Sequence, residues 1–214
     1  MKSRIYFAAA VLGLFLLPGL GRADEACEQF IAGLLPAKAN KDSWTCDYVP
    51  MASENTLGTM SHLEVKTDWE RPADDLRKYD GVFRFNLFIN KYLPSFPNWE
   101  MLKNALYQKA REEFDKDVKE WSEAKDDTYV KYAPGETKSV MDGKSFCQKI
   151  TEYAEKAEPG QMSSGGSGMI SKTMYRCRYL VATGGVTLQL TVSEETKGDC
   201  DGYFTKSRDK AKKM

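Results

Sequence analysis

Apolar residues recur along this chain in two periods, a helical one and a strand one, and the switches between them predict the elements. Cys27, Phe30, Ile31, Leu34 and Leu35 follow i, i+3, i+4, i+7, i+8, one face of a helix that Asp24 caps and Pro36 ends. Trp44, Cys46 and Tyr48 alternate, as do Leu63, Val65 and Thr67, so each set shares one face of a strand. Asp80-Gly81 reads as a turn into a third strand, with Phe83, Phe85, Leu87 and Ile89 pointing inward. The second half repeats the order. Phe146, Cys147, Ile150, Tyr153, Ala154 and Ala157 predict a helix capped by Asp142 or Ser145 and stopped by Pro159-Gly160. Tyr175, Cys177 and Tyr179 alternate, Leu188, Leu190 and Val192 alternate, and Asp201-Gly202 reads as a turn into Tyr203 and Phe204.

This recurrence predicts an α+β fold built from two similar helix–strand–strand–strand units with antiparallel sheets, at 24–93 and 140–207. They are joined by a long amphipathic helix and connector at 94–139. Trp99, Leu102, Leu106, Ala110, Phe114, Val118 and Trp121 recur every three or four residues behind Asn98, and the opposite side is a mixed-charge solvated face. Such a helix is expected to lie on or between the two sheets. A short strand ending at Tyr132 follows it, then a turn at Pro134-Gly135. The Gly/Ser run between Met162 and Met169 reads as a hairpin tip, and 208–214 as a solvated basic tail.

Residues 1–23 carry an address. Lys2 and Arg4 precede an apolar run at 5–17, Pro18 and Gly19 break it, and Gly21 and Ala23 flank a cleavage site, the order of parts in a secretory signal peptide. The run is too short for the roughly 20 residues of a spanning helix. Removing Lys2, Arg4 and Arg22 from 31 bases against 31 acids leaves the mature chain at −3. Balanced charge argues against nucleic-acid binding, which needs a basic excess over phosphate. The 42 % hydrophobic and 29 % charged composition is that of a globular protein. Asn-x-Ser/Thr sequons do not occur, and the expected compartment is the bacterial periplasm, or secretion. Only the basic tail offers a membrane contact.

Export makes disulfides reasonable for the 5 cysteines. No Cys-x-x-Cys pair or zinc spacing occurs. The repeat pairs Cys27 with Cys46 and Cys147 with Cys177, each pinning a helix to its first strand, and leaves Cys200 as a free, buried thiol.

Catalytic signals are sparse. His62 is the 1 histidine, it sits on a strand pattern, and no Gly-x-Ser-x-Gly elbow accompanies it. Asp199-Cys-Asp201-Gly202 lacks the further oxygen ligands of a calcium loop. No cofactor or metal site is predicted. Phe88, Tyr92 and Phe96 form a candidate partner-binding patch. The expected function is therefore a non-enzymatic, monomeric binding protein of the inhibitor or immunity type that occludes a toxin or hydrolase. The alternatives are a structural component of the envelope and a carboxylate-based hydrolase.

Overall fold

The computed structural model describes residues 27, 29, 31–35, 45–49, 61–70, 82–92, 99–126, 130–140, 143–155, 169–183 and 185–214. The signal-peptide reading, Asn98, Phe96 and the Gly/Ser run at 162–168 lie outside them. The strands are β1 (Thr45–Val49), β2 (Ser61–Glu70), β3 (Val82–Lys91), β4 (Val130–Tyr132), β5 (Glu136–Val140), β6 (Gly143–Glu155), β7 (Met169–Thr183) and β8 (Val186–Glu194). The helices are α1 (Trp99–Ser122) and α2 (Lys197–Lys213). Cys27, Gln29 and Ile31 also stand in helical backbone, with buried Leu34 just beyond.

All eight strands form one antiparallel sheet in the order β1-β2-β3-β8-β7-β6-β4, with β5 pairing β6 beside β4. The architecture is mixed α and β. The two sheets expected from the repeat are one sheet, because β3 and β8 pair along their length. Each half contributes a three-stranded meander followed by a helix, β1-β2-β3-α1 and β6-β7-β8-α2. The helix thus follows the third strand in the second half instead of preceding the first.

Alternation along the strands sorts the sheet into two faces. On the first, Leu63, Val65 and Thr67 of β2 lie opposite Ile89, Leu87 and Phe85 of β3. Those lie opposite Leu188, Leu190 and Val192 of β8, which continue into Val181, Tyr179 and Cys177 of β7. All of these are buried, and all but Thr67 belong to the main hydrophobic core. α2 covers this face: Phe204 stacks on Tyr179 at 4.6 Å between centroids, and Tyr203 meets Phe85 edge-on at 5.8 Å. α1 lies on the second face, where Ala110 and Phe114 pack on Phe146 and Leu180, with Val118 and Trp121 beside them. It lies across one face of a single sheet, in the chain between the two meanders.

Three segments differ from the sequence reading for identifiable reasons. Residues 143–155 form a strand, not a helix. Ser145, Phe146, Cys147 and Gln148 are buried in succession, so both faces of β6 are covered and its apolar positions carry no strand period. Residues 197–213 form a helix, not a turn and strand. Cys200, Phe204, Ser207 and Ala211 are its buried positions, spaced i, i+4, i+7, i+11. Thr196 caps it by accepting from Asp199 N at 3.1 Å. The basic residues at 208–214 are not a solvated tail. They form the last turns of α2, where Lys210, Lys212 and Lys213 complement the helix dipole and Met214 packs against the core.

Two glycines respond oppositely to a methyl group. Gly202 lies inside α2, and a Cβ there meets nothing within 4 Å. Gly202→Ala should raise stability by about 0.5–1 kcal/mol, read as a higher midpoint in urea. A Cβ on Gly143 strikes the backbone carbonyl of Leu180 across the β6–β7 ladder, so Gly143→Ala should cost roughly 1–3 kcal/mol in the same measurement.

Candidate functional site

The sequence-predicted site residues separate into staples and a surface. Cys27 is wholly buried and is bridged to Cys46 on β1, with Cα atoms 6.2 Å apart. Cys147 and Cys177 are directly opposite across β6 and β7 and are bridged with Cα atoms 4.2 Å apart. This second bridge ties strand to strand, not helix to strand. Cys200 is free and wholly buried in the first turn of α2, its Sγ 3.8 Å from the Tyr175 carbonyl oxygen. Burial, then Glu194, Asp201 and Asp199 around it, push its thiol far up from the ordinary value. A thiol that does not ionise neither attacks nor exchanges.

Of the expected aromatic patch, Phe88 and Tyr92 line one cleft on the second face, and Phe96 lies outside the described residues. Phe88 is half-buried on the second face, under the Lys66 ammonium at 5.1 Å from its ring centroid. Tyr92 is 5 % exposed. Its backbone N–H donates to the Gly185 carbonyl at 2.8 Å, and burial raises its phenol's pKa against a hydrogen bond from Thr187. Tyr92 continues the alternation of β3 one step past its last ladder pair, on the same face as Phe88 and Asn90 and beside β8.

The second face has two halves. Over β7 and β8 it is covered by α1, and the contact is built from two parallel stripes of the helix. Ala110, Phe114 and Val118 supply the apolar stripe. Glu113, Asp117 and the Trp121 carbonyl supply a polar one at the same i, i+4, i+8 spacing. Each polar position has a counterpart on the sheet. Gln189 Nε2 donates to Glu113 at 3.2 Å, Arg178 Nε lies 3.1 Å from Asp117 Oδ2, and Gln148 Nε2 donates to the Trp121 carbonyl at 3.1 Å. Arg178 is 7 % exposed, and its two terminal nitrogens donate to Thr191 and Gln189. Arg176 donates to Gln148 at 2.9 Å and lies over the Trp121 ring at 4.3 Å. Sequence reading missed this network. The available signal was Arg176 and Arg178 flanking Cys177, two charges that alternation sends to one face of a strand whose other face is core.

Over β2 and β3 the second face is more open. His62, Glu64, Asn86, Phe88 and Asn90 are half-buried, and Lys66 and Arg84 are exposed. His62 Nδ1 and Asn90 Oδ1 are 2.7 Å apart across the ladder, and Glu64 pairs with Lys66. Between the two halves lies a cleft of about 320 Å³. Its floor is Phe88, Asn90, Tyr92, Thr187 and Gln189, with Arg178 behind, and its wall is Leu106, Lys109, Ala110 and Glu113 of α1. The Asp199 and Asp201 carboxylates are engaged within α2 and its surroundings. Thr196 Oγ1 donates to Asp199 at 2.7 Å, while the Tyr179 hydroxyl (2.7 Å) and Lys197 (2.9 Å) donate to Asp201. Among the described residues no three His, Cys, Asp or Glu side chains converge on a metal position.

Two measurements test this arrangement. Non-reducing peptide mapping should return Cys27–Cys46 and Cys147–Cys177, with Cys200 unreactive toward a thiol reagent until the chain is unfolded. Burial raises the Asp117 carboxyl above its ordinary value, against the opposing pull of Arg178. Between the unfolded and the raised folded pKa the folded state binds the proton that the unfolded state has released. Stability should therefore fall as pH rises through that window, and Asp117→Asn should flatten the slope in pH-dependent urea denaturation. Compared with known proteins, the chain matches no family model, no curated protein and no solved structure.

Proposed function

We propose that this chain is an exported binding protein of the bacterial periplasm that performs no chemistry of its own. It is an inhibitor- or immunity-type protein that occludes a toxin or an envelope hydrolase, seated on the open half of the second face. One observation carries the reading: the half-buried Phe88 stands among His62, Glu64 and Asn86, with exposed Lys66 and Arg84 alongside, beside the wall made by α1. An aromatic centre inside a polar, charged border is the anatomy of a protein-binding hot spot. The proposed patch is centred on Phe88, with the buried Tyr92 lining the same cleft.

Two further features support the reading. Disulfide bridges at β1 and at β6–β7 suit an oxidising compartment. They also hold the scaffold in its bound shape beforehand, which lowers the entropy lost on association. Among the described residues no helix is long and apolar enough to cross a membrane.

The test is capture with the mature chain from periplasmic and secreted extract, repeated with two variants. Phe88→Asp should lose the partner by at least about tenfold while far-UV circular dichroism and the melting temperature hold. Lys116→Glu, on the solvated side of α1, should keep it. Retention by Phe88→Asp, or co-fractionation with a large envelope assembly, would sink the reading.

A further inference from the structure

We infer that the cleft beside α1 is a binding site for a neutral monosaccharide, a single uncharged pyranose ring. This goes beyond the partner-protein reading and does not depend on it. At about 320 Å³ the space is at the small end of ligand pockets, with room for one ring. Its floor is two cross-strand pairs of the β3–β8 ladder, Phe88 opposite Gln189 and Asn90 opposite Thr187, with the buried Tyr92 at the end. Leu106 and Ala110 stand one turn apart on the wall. The lining is thus an aromatic ring and two aliphatic side chains set among amides and a hydroxyl. β2 and β8 flank β3 on opposite sides, so the Lys66 ammonium reaches the Phe88 ring from the side away from the cleft. The C–H face of a sugar ring, slightly positive, is drawn to the negative π face of such an aromatic.

The cleft carries no net charge. Lys109 and Glu113 stand one turn apart on α1 and balance each other, and Arg178 lies 3.1 Å from Asp117. An ion of either sign gains nothing from such a field and gives up its hydration on entry. A plain hydrocarbon is excluded as well, because it would cut off Asn90, Thr187 and Gln189 beneath it from water. The hydrogen-bonding capacity that remains is mixed. Glu113 accepts the Gln189 amide at 3.2 Å and keeps acceptor sites on its two carboxylate oxygens. The Asn90 carbonyl oxygen faces His62 Nδ1 at 2.7 Å, which leaves its amide nitrogen to donate, and Lys109 is a second donor on the wall. Gln189 is engaged at both ends, by Glu113 and by Arg178, and so holds the Glu113 carboxylate at the rim. A hydroxyl is the group that both donates and accepts while carrying no charge. A pyranose has several of them around an apolar face, so one ring lies on Phe88 while its hydroxyls reach Glu113, Lys109 and Asn90.

The test uses the mature protein and four neutral sugars: glucose, galactose, mannose and N-acetylglucosamine. Amide chemical shifts are followed by NMR. At least one sugar should bind saturably with a dissociation constant of about 10 mM or tighter, with shifts centred on β3, β8 and the first half of α1. The uronate and the aminosugar of the same configuration, and the zwitterion leucine, should each bind more weakly than that sugar. Glu113→Gln should weaken the sugar at least about threefold and turn the preference toward the uronate, since Lys109 is then unbalanced. Leu106→Trp should fill the cleft and abolish sugar binding, with melting temperature confirming that both variants fold. No saturable binding by any of the four sugars, tighter binding of the uronate, the aminosugar or leucine, or unchanged sugar binding in the folded variants overturns the inference. None of these results scores the capture of a protein partner from extract, so the two proposals fail separately.

Discussion

The structure depends on the seam between β3 and β8. Phe85, Leu87 and Ile89 lie opposite Val192, Leu190 and Leu188, and all six are 0–1 % exposed. The seam joins residues about 100 positions apart in the chain. Closing a loop of that length costs on the order of 4 kcal/mol of entropy. That is small beside six buried side chains at roughly 1.5–3 kcal/mol each, so the seam is favourable once both meanders exist. Its consequence is architectural. Two three-stranded meanders that pair edge to edge become one sheet with two faces, and each helix takes a different face. The same long-range pairing predicts slow folding relative to a helical protein of this size, because non-local contacts form late.

What the sequence made legible follows from where burial is one-sided. In β2 and β3, alternate residues are core and the others face outward, so Leu63, Val65, Phe85, Leu87 and Ile89 announce their strands. β6 lies between β7 and the β4–β5 edge with both faces covered, and a continuous buried run has no period of its own. α2 was obscured by Gly202, which penalises a helix locally but is overridden by Phe204 on Tyr179 and Tyr203 on Phe85. The seam itself leaves no local signal. Leu188, Leu190 and Val192 show that β8 has an apolar face, but nothing in their order says which strand lies beside it. For the surface, the sequence pointed to Phe88 but not to its setting. The cleft and the Arg178 network exist only where α1 crosses β8 and β7.

The polar stripe of α1 explains how that crossing keeps its register. The apolar contacts of Ala110, Phe114 and Val118 repeat every turn, so a slide of one turn would exchange one for the next. Glu113 on Gln189, Asp117 on Arg178 and the Trp121 carbonyl on Gln148 do not repeat in this way. A one-turn slide one way would put Asp117 where the Trp121 carbonyl now accepts, and the other way would put that carbonyl against Arg178 and leave its guanidinium buried without an anion, a cost of several kcal/mol. The buried arginine thus contributes little net stability and much specificity. By fixing α1 lengthwise, it also fixes the wall of the cleft.

The two disulfides divide the remaining work between the flanks of the seam. By the chain-entropy relation their spans of 19 and 30 residues correspond to about 3 and about 4 kcal/mol. Their structural roles differ more than these numbers suggest. Cys147–Cys177 reinforces strands already paired along all of β6. Cys27–Cys46 anchors β1, a five-residue edge strand with a single neighbour. Edge strands of that length fray, and a frayed edge is a template for pairing with other chains. Bridging β1 to the buried Cys27 fastens the edge to the core formed with Ile31 and Leu34. Reduction should therefore be felt first at β1, well away from the seam, and the open face of β2 and β3 next to it would lose its flank before the sheet lost its fold.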